Sequence, residues 1–163
     1  MPITEFEIKY SYKADQELPH NLAHKPIYAI PYTHFDGHFA DETDCQYLSI
    51  GISQWDKKDI SLKTMRFTGD KWSRQSEEVP LHRIIDSTIL IAKVLLDCED
   101  NNCEFEKNTF KNQSSGIQVN KENINTSIDE NFNNALTEQS NELKERLNSL
   151  YNVLSTLKSK GKF

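Results

Sequence analysis

The segment W-S-R-Q-S-E-E-V-P-L-H-R, residues 72–83, places an indole, an amide, an imidazole, two carboxylates and two guanidiniums close together. In a helix that begins at Ser76, Glu78, His82 and Asp86 would lie one turn apart, with carboxylates above and below the imidazole. Neighbouring carboxylates favour the imidazolium and raise the pKa of a histidine. His82 is therefore a candidate acid–base group, with Glu78 and Asp86 as its candidate partners.

The same segment carries groups that could hold a ligand without reacting with it. Two arginines could bind an anion, and the indole could supply a stacking wall. The candidate ligand-binding residues are Trp72, Arg74, Gln75, His82 and Arg83.

A purely structural role explains part of this segment equally well. Ser76 can cap a helix, and Glu77 and Glu78 would be stabilised by the positive end of the helix dipole. Pro80 is tolerated in a first turn, where its missing N–H has no partner to lose. These roles leave the indole, the first guanidinium and the amide unexplained.

Two pairs of histidines lie four residues apart: His20 with His24, and His34 with His38. On a helix this spacing lets two imidazoles share a metal ion, and Asp36 would add an oxygen ligand. Gly37 disfavours a helix at the second pair, and prolines bracket the first. We therefore expect no metal, with His34, Asp36 and His38 as weak candidates.

Other motifs for chemistry are missing or incomplete. The sequence has no glycine-rich phosphate loop, nucleophile elbow or dinucleotide fingerprint, so we expect no cofactor. Cys98 and Cys103 have no second pair, which favours one partly buried and one exposed thiol over a zinc site. Asp59 and Lys63 would share one face of a strand and form an ordinary ion pair.

The elements that must position these side chains indicate an α+β fold. The strands are predicted at residues 6–12, 26–32, 48–55 and 60–67, where most apolar residues alternate with polar ones. The third and fourth should form an antiparallel hairpin, and the prolines of the second indicate an edge strand. A strongly apolar helix follows over residues 80–97. We expect an antiparallel sheet of three to five strands with this buried helix packed across it.

The tail is predicted to be a long amphipathic helix. Leu136, Ser140, Leu143, Leu147, Leu150, Leu154 and Leu157 are spaced alternately by four and three residues. This is a heptad pattern with one serine in an otherwise leucine seam. The seam indicates self-association or docking on a partner helix, and the alternative is that the helix folds back on its own domain. The predicted parts are an α+β domain at 1–98, a polar linker or loop at 99–123 and a coiled-coil-like helix at 124–160.

Composition narrows the surroundings in which the protein works. The chain has no signal-peptide pattern and no apolar stretch long enough to cross a bilayer, so we expect no membrane association. Its three cysteines lack a disulfide framework, which favours the cytoplasm. A formal net charge of −6 argues against non-specific nucleic-acid binding.

Five runs together resemble an uncharacterised family of bacterial proteins classed only as a domain of unknown function. The runs are K-P-I-Y-A-I-P-Y, D-G-H-F-A-D-E-T-D, L-S-I-G-I-S-Q-W-D, D-I-S-L-K and G-D-K-W-S-R-Q-S-E-E-V-P-L-H-R, within about residues 24–95. The resemblance implies a small bacterial cytosolic protein and carries over no catalytic role.

Taken together, these features favour a non-enzymatic interaction or ligand-binding protein. It would bind through the surface formed by Trp72 to Arg83 and associate through its C-terminal helix. One alternative is a small hydrolase for an anionic substrate, with His82 as acid–base. Another is a metal-binding protein that uses His20 and His24, or His34 and His38.

Overall fold

A computed structural model describes residues 12–97, 103–122 and 124–163. The chain divides into two compact units, residues 1–96 and 97–163. Most of the predicted strand at residues 6–12 lies outside the described residues. Within the described ranges, no helix is both long and apolar enough to cross a membrane.

The first unit is built on an antiparallel sheet of five strands. The strands are β1 (Lys25–Pro31), β2 (Cys45–Ile52), β3 (Ile60–Thr68), β4 (Lys71–Trp72) and β5 (Glu78–Pro80). The sheet begins with β1, β2 and β3 in that order, and β4 and β5 both pair with different parts of β3. The predicted hairpin of β2 and β3 is confirmed, and β1 lies at the edge.

Alternation along β2 and β3 buries an unexpected set of side chains. On β3 the buried residues are Ser61, Lys63 and Met65, while their neighbours Ile60 and Leu62 are more exposed. On β2, Ser49 is buried and Ile50 is 38% exposed. The covered face of the sheet is therefore largely polar, and this face carries the candidate site.

The segment that covers this polar face precedes β1. The backbone N–H of Asp15 donates to the Gln46 side chain over 2.9 Å. The hydroxyl of Tyr47 donates to the Gln16 carbonyl over 2.6 Å. These two bonds tie the segment to β2, and its last residue, His24, is 1% exposed.

The predicted helix is α1 (Leu81–Asp97), and the α+β class is confirmed. The helix lies near the sheet, but none of its described side chains is buried: Ile85 is 60% and Leu96 77% exposed. Its apolar residues occupy most of the circumference, so one contact surface cannot cover all of them. Full burial was too strong an expectation.

The second unit contains a small hairpin and two helices. Strands β6 (Glu104–Phe105) and β7 (Ile117–Gln118) pair within the region predicted as a polar linker. Helix α2 (Ser127–Glu138) is capped by Thr126, and α3 (Ser140–Ser159) follows. The continuous helix predicted over 124–160 is thus divided at Gln139.

Candidate functional site

The centre of the site is a buried pair of opposite charges on neighbouring strands. Glu78 of β5 lies directly opposite Lys63 of β3 in the strand register. Their side chains are 1% and 2% exposed, with Lys63 Nζ 3.8 Å from Glu78 Oε2. Lys63 also donates to the carbonyl of Ser76 over 3.1 Å. Since no strong direct hydrogen bond joins the two charges, other polar groups must help to hold them.

Those groups converge on the other carboxylate oxygen, Glu78 Oε1. Ser61 donates to it over 2.6 Å, and the backbone N–H of Gln54 donates over 2.8 Å. His24 Nδ1 lies 3.3 Å away and its Nε2 lies 3.0 Å from Ser49 Oγ. A neutral imidazole with its proton on Nδ1 satisfies both contacts, because it donates to Glu78 and accepts from Ser49.

Burial and hydrogen bonding set the charge states of the cluster. Burial lowers the pKa of His24, and Glu78 only partly opposes this. Burial also lowers the pKa of Lys63, again against the attraction of Glu78. Burial alone would raise the pKa of Glu78, but the hydrogen bonds from Ser61, Gln54 and His24 lower it overall. At neutral pH the carboxylate of Glu78 is thus ionised and the imidazole of His24 is neutral, and the carboxylate favours the charged form of Lys63.

A cavity of about 380 Å³ lies over one side of this cluster. His24 and Lys63 line its floor, and Arg74 and Lys25 line its wall, together with Gln54 and residues 21–23. No carboxylate lines the cavity, and the exposed Arg74 side chain has no hydrogen bond or ion pair with any residue in the described ranges. The cavity is therefore cationic and suited to an anion.

Arg74 also borders a second groove, of about 440 Å³, which Trp72 and Gln75 line with Lys71. Three of the residues predicted to bind a ligand, Trp72, Arg74 and Gln75, thus share one surface. His82 and Arg83 lie instead on exposed positions of α1, and neither lines either cavity.

Trp72 has a structural role that the sequence did not reveal. Its ring packs edge-on against Phe67, with centroids 5.4 Å apart, and lies 6.2 Å from Tyr47. We expect Trp72→Ala to lower the free energy of unfolding by about 2 kcal/mol, because these half-buried contacts are lost. Trp55→Ala is the matched control: Trp55 is 77% exposed, and its loss should cost less than about 0.5 kcal/mol. Equal urea midpoints for the two variants would contradict this role.

The helical line of Glu78, His82 and Asp86 does not form. Glu78 belongs to β5 and α1 begins at Leu81, so the prediction of a helix capped by Ser76 is wrong. Pro80 is the last residue of β5 and lies opposite Ser61 of β3. Because Pro80 is still part of the sheet, the helix starts only after Pro80. Ser76 is buried, and its carbonyl binds Lys63.

In each of the two histidine pairs considered as metal ligands, the two side chains lie in different surroundings. His20 is exposed, whereas His24 is buried in the cluster. His34 Nδ1 pairs with Asp41, and the His38 ring stacks on Phe39. Within the described ranges, no three histidine, cysteine, aspartate or glutamate side chains are grouped so that they could hold a metal ion.

Cys45 is a poor nucleophile. Burial, with nearby carboxylates including Asp36 and Asp44, raises the pKa of Cys45 to about 11. Cys103 is buried in the second unit, at 7% exposure. Thiolate chemistry requires an accessible, deprotonated sulfur, which the neutral Cys45 thiol does not provide at physiological pH.

Comparison with known proteins places the chain in a family but assigns no activity to it. No curated protein and no solved structure matches the chain. A family model described as a family of unknown function, DUF6530, matches residues 16–159. The match covers the sheet, the cluster and both C-terminal helices, so it extends well beyond residues 24–95. The chain therefore belongs to the family of unknown function DUF6530.

Proposed function

We propose that this protein is a non-enzymatic binding protein for a small anion. The observation that carries the proposal is the cationic cavity over the buried cluster, where Arg74 has no partner among the described residues and no carboxylate lines the wall. Its volume of about 380 Å³ lies in the lower part of the range of small-molecule sites.

The cluster supports binding by fixing the cavity floor. Glu78 holds Lys63 and His24 through buried contacts, so neither side chain has to be ordered when a ligand arrives. Preorganised groups lose less conformational entropy on binding than mobile ones. Arg74, which is exposed, supplies the charge that a ligand reaches first.

Binding is favoured over hydrolysis because the hydroxyls of the cluster are inaccessible. Ser61 is 0% and Ser49 1% exposed, so neither can reach a substrate carbonyl or phosphorus. His82, the acid–base candidate of the alternative hypothesis, is exposed on α1 and lines neither cavity beside Arg74. Among the described residues that line the cavity, no accessible nucleophile is combined with a base.

A reducing compartment such as the bacterial cytosol fits this function. Cys45 is free and buried, and a buried free thiol persists where thiols are kept reduced. Thiol titration of freshly purified, denatured protein should find every cysteine reduced.

Arg74→Ala tests the binding proposal. We expect phosphate, citrate or glutamate to raise the thermal midpoint of the wild-type protein beyond the effect of sodium chloride at equal ionic strength. Arg74→Ala should weaken the apparent affinity at least about tenfold, or 1.4 kcal/mol, because the guanidinium supplies charge-assisted hydrogen bonds.

Lys57→Ala is the control, since it removes one positive charge from an exposed turn remote in sequence from Arg74. It should bind as the wild type does, which separates a local contact from the general effect of net charge and from stabilisation by salts. The proposal fails if no anion of the panel stabilises the wild type, or if the two variants respond alike.

A further inference from the structure

The floor of the cationic cavity contains a histidine whose charge can change near neutral pH. His24 lines the cavity and is 1% exposed. An ordinary histidine titrates at about pH 6.5. Burial lowers the pKa of His24, so its ring is neutral at pH 7. The charge of the cavity floor therefore depends on whether His24 holds a second proton.

The contacts of His24 allow the ring to gain this proton without losing a partner. Its Nδ1 lies 3.3 Å from the Glu78 carboxylate and 3.2 Å from Ser61 Oγ, and its Nε2 lies 3.0 Å from Ser49 Oγ. In the neutral ring, Nε2 accepts from the Ser49 hydroxyl. In the imidazolium, Nε2 donates to the same oxygen, since a hydroxyl can rotate to act as donor or acceptor. The surroundings of His24 thus accommodate both charge states.

The charges that face His24 explain why a proton and an anion should favour each other. Glu78 on β5 attracts a proton to the ring, and Lys63 on β3 opposes it. Arg74 and Lys25 add positive charge at the cavity wall, and no carboxylate is among the described residues that line the cavity. Because Glu78 already faces Lys63, an imidazolium adds a positive charge without a second carboxylate to balance it. An anion in the cavity supplies that missing negative charge.

We propose that His24 is a proton-binding site coupled to the anion cavity, so that the protein takes up a proton at His24 together with its anion. The coupling rests on the proposed anion binding and adds a co-ligand to it. Both ring nitrogens are engaged within the cluster, so His24 acts through its charge rather than through a hydrogen bond to the anion. By linkage, a bound anion strengthens proton binding at His24, and the proton strengthens anion binding by the same factor.

The coupling makes the affinity for the anion rise as the pH falls. Where His24 is neutral with and without the anion, this group contributes no pH dependence. At lower pH the dissociation constant falls by at most about tenfold for each pH unit, because one proton is involved. Between about pH 8 and pH 5.5 we expect His24 to tighten binding at least about threefold.

The titration of the His24 ring, followed by NMR in the full-length wild-type protein, tests the coupling directly. The probes are phosphate, citrate and glutamate at saturating concentration, each compared with sodium chloride at equal ionic strength. The anion that binds should raise the titration midpoint of the ring by at least about one pH unit, which is a tenfold gain in proton affinity. A midpoint that is the same with the bound anion and with chloride overturns the coupling.

Two histidine variants show whether His24 is the group responsible. The ratio of the dissociation constants at pH 8 and pH 5.5 should be at least about threefold larger in the wild type than in His24→Asn. The anion's own titration is the same for every protein and cancels in this comparison. His20→Asn is the control, since His20 is exposed and does not line the cavity, and it should keep the wild-type ratio. An unchanged ratio in His24→Asn places the proton elsewhere, as on Lys63, and overturns the assignment.

Failure of the coupling and failure of the anion site are distinguishable. If none of the three anions binds the wild type between pH 5.5 and pH 8, both proposals are wrong. If an anion binds and Arg74→Ala weakens it, but the His24 midpoint does not move, the anion site is supported and the coupling alone is overturned. The NMR measurement needs no variant, so the coupling stays testable even if His24→Asn does not fold.

Discussion

Replacing Glu78 with alanine should lower the free energy of unfolding by about 3–5 kcal/mol, the usual cost of leaving one partner of a buried ion pair uncompensated. In the variant, the ammonium of Lys63 would keep only the carbonyl of Ser76 as its hydrogen-bond acceptor. Ser61, His24 and the N–H of Gln54 would also lose their shared acceptor. Urea denaturation gives the change in stability directly.

Glu77→Ala is the matched control, because it removes an adjacent carboxylate whose side chain is 63% exposed. Its bonds lie at the surface, to Thr64 and towards Arg66, so its removal should cost about 1 kcal/mol or less. Glu78→Gln keeps the shape but removes the charge, and should fall between the two. Equal losses for Glu77→Ala and Glu78→Ala would show that the charge pair is not buried.

Acidification should destabilise the protein in two steps, both traceable to the cluster. Because the pKa of His24 is lowered in the folded protein, the unfolded chain binds a proton at this histidine more readily than the folded protein does below about pH 6.5. Stability is therefore lost as the pH falls from 6.5 through the folded-state pKa of this histidine. The lowered pKa of Glu78 adds a second loss as the pH falls from 4.5 through the folded-state pKa of this carboxylate. Each proton changes stability by at most about 1.4 kcal/mol per pH unit.

The variant His24→Asn tests whether His24 causes the first of these two losses of stability. Unfolding free energies at about pH 7.5, 6 and 5 should fall more steeply in the wild type than in this variant, whatever its absolute stability. His20→Asn is the control, since His20 is exposed and should leave the wild-type slope unchanged. The assignment of the first step to His24 is wrong if both variants keep that slope.

Local sequence patterns were sufficient to predict the main elements of the fold. Alternation predicted the hairpin of β2 and β3, and the prolines predicted the edge position of β1. Helical periodicity predicted α1 over residues 80–97, whereas the capping pattern placed its start wrongly at Ser76. These features depend on neighbours in the chain, where period and turn chemistry act directly. Alternation does not tell which face of a strand is covered, and here Ser49, Ser61 and Lys63 lie on the covered side.

The site was only partly predictable, because local patterns do not show which residues that are distant in sequence meet in the fold. The segment from Trp72 to Arg83 contributes Arg74 and Glu78, but the other two members of the cluster come from distant positions. Lys63 meets Glu78 through the register of β3 and β5, so the expected ion pair with Asp59 does not form. His24 arrives through the segment before β1, which no periodic pattern describes.

The seam in the tail was predicted from spacing alone, whereas the division at Gln139 was not. At Gln139 the backbone leaves helical geometry, with φ −89° and ψ 0°. The two following residues, Ser140 and Asn141, are modest helix formers. The break leaves α3 as a separate helix of twenty residues, all of them within the leucine-rich part of the pattern.

The most direct test of the anion site is an NMR titration of the wild-type protein with whichever of phosphate, citrate and glutamate stabilises it most. Binding in the cavity should produce saturable shifts at the Arg74 side-chain Nε, the His24 ring and the Gln54 backbone amide, all with one dissociation constant. Small shifts scattered over many exposed residues, or shifts that never saturate, would contradict binding in the cavity over Glu78 and Lys63.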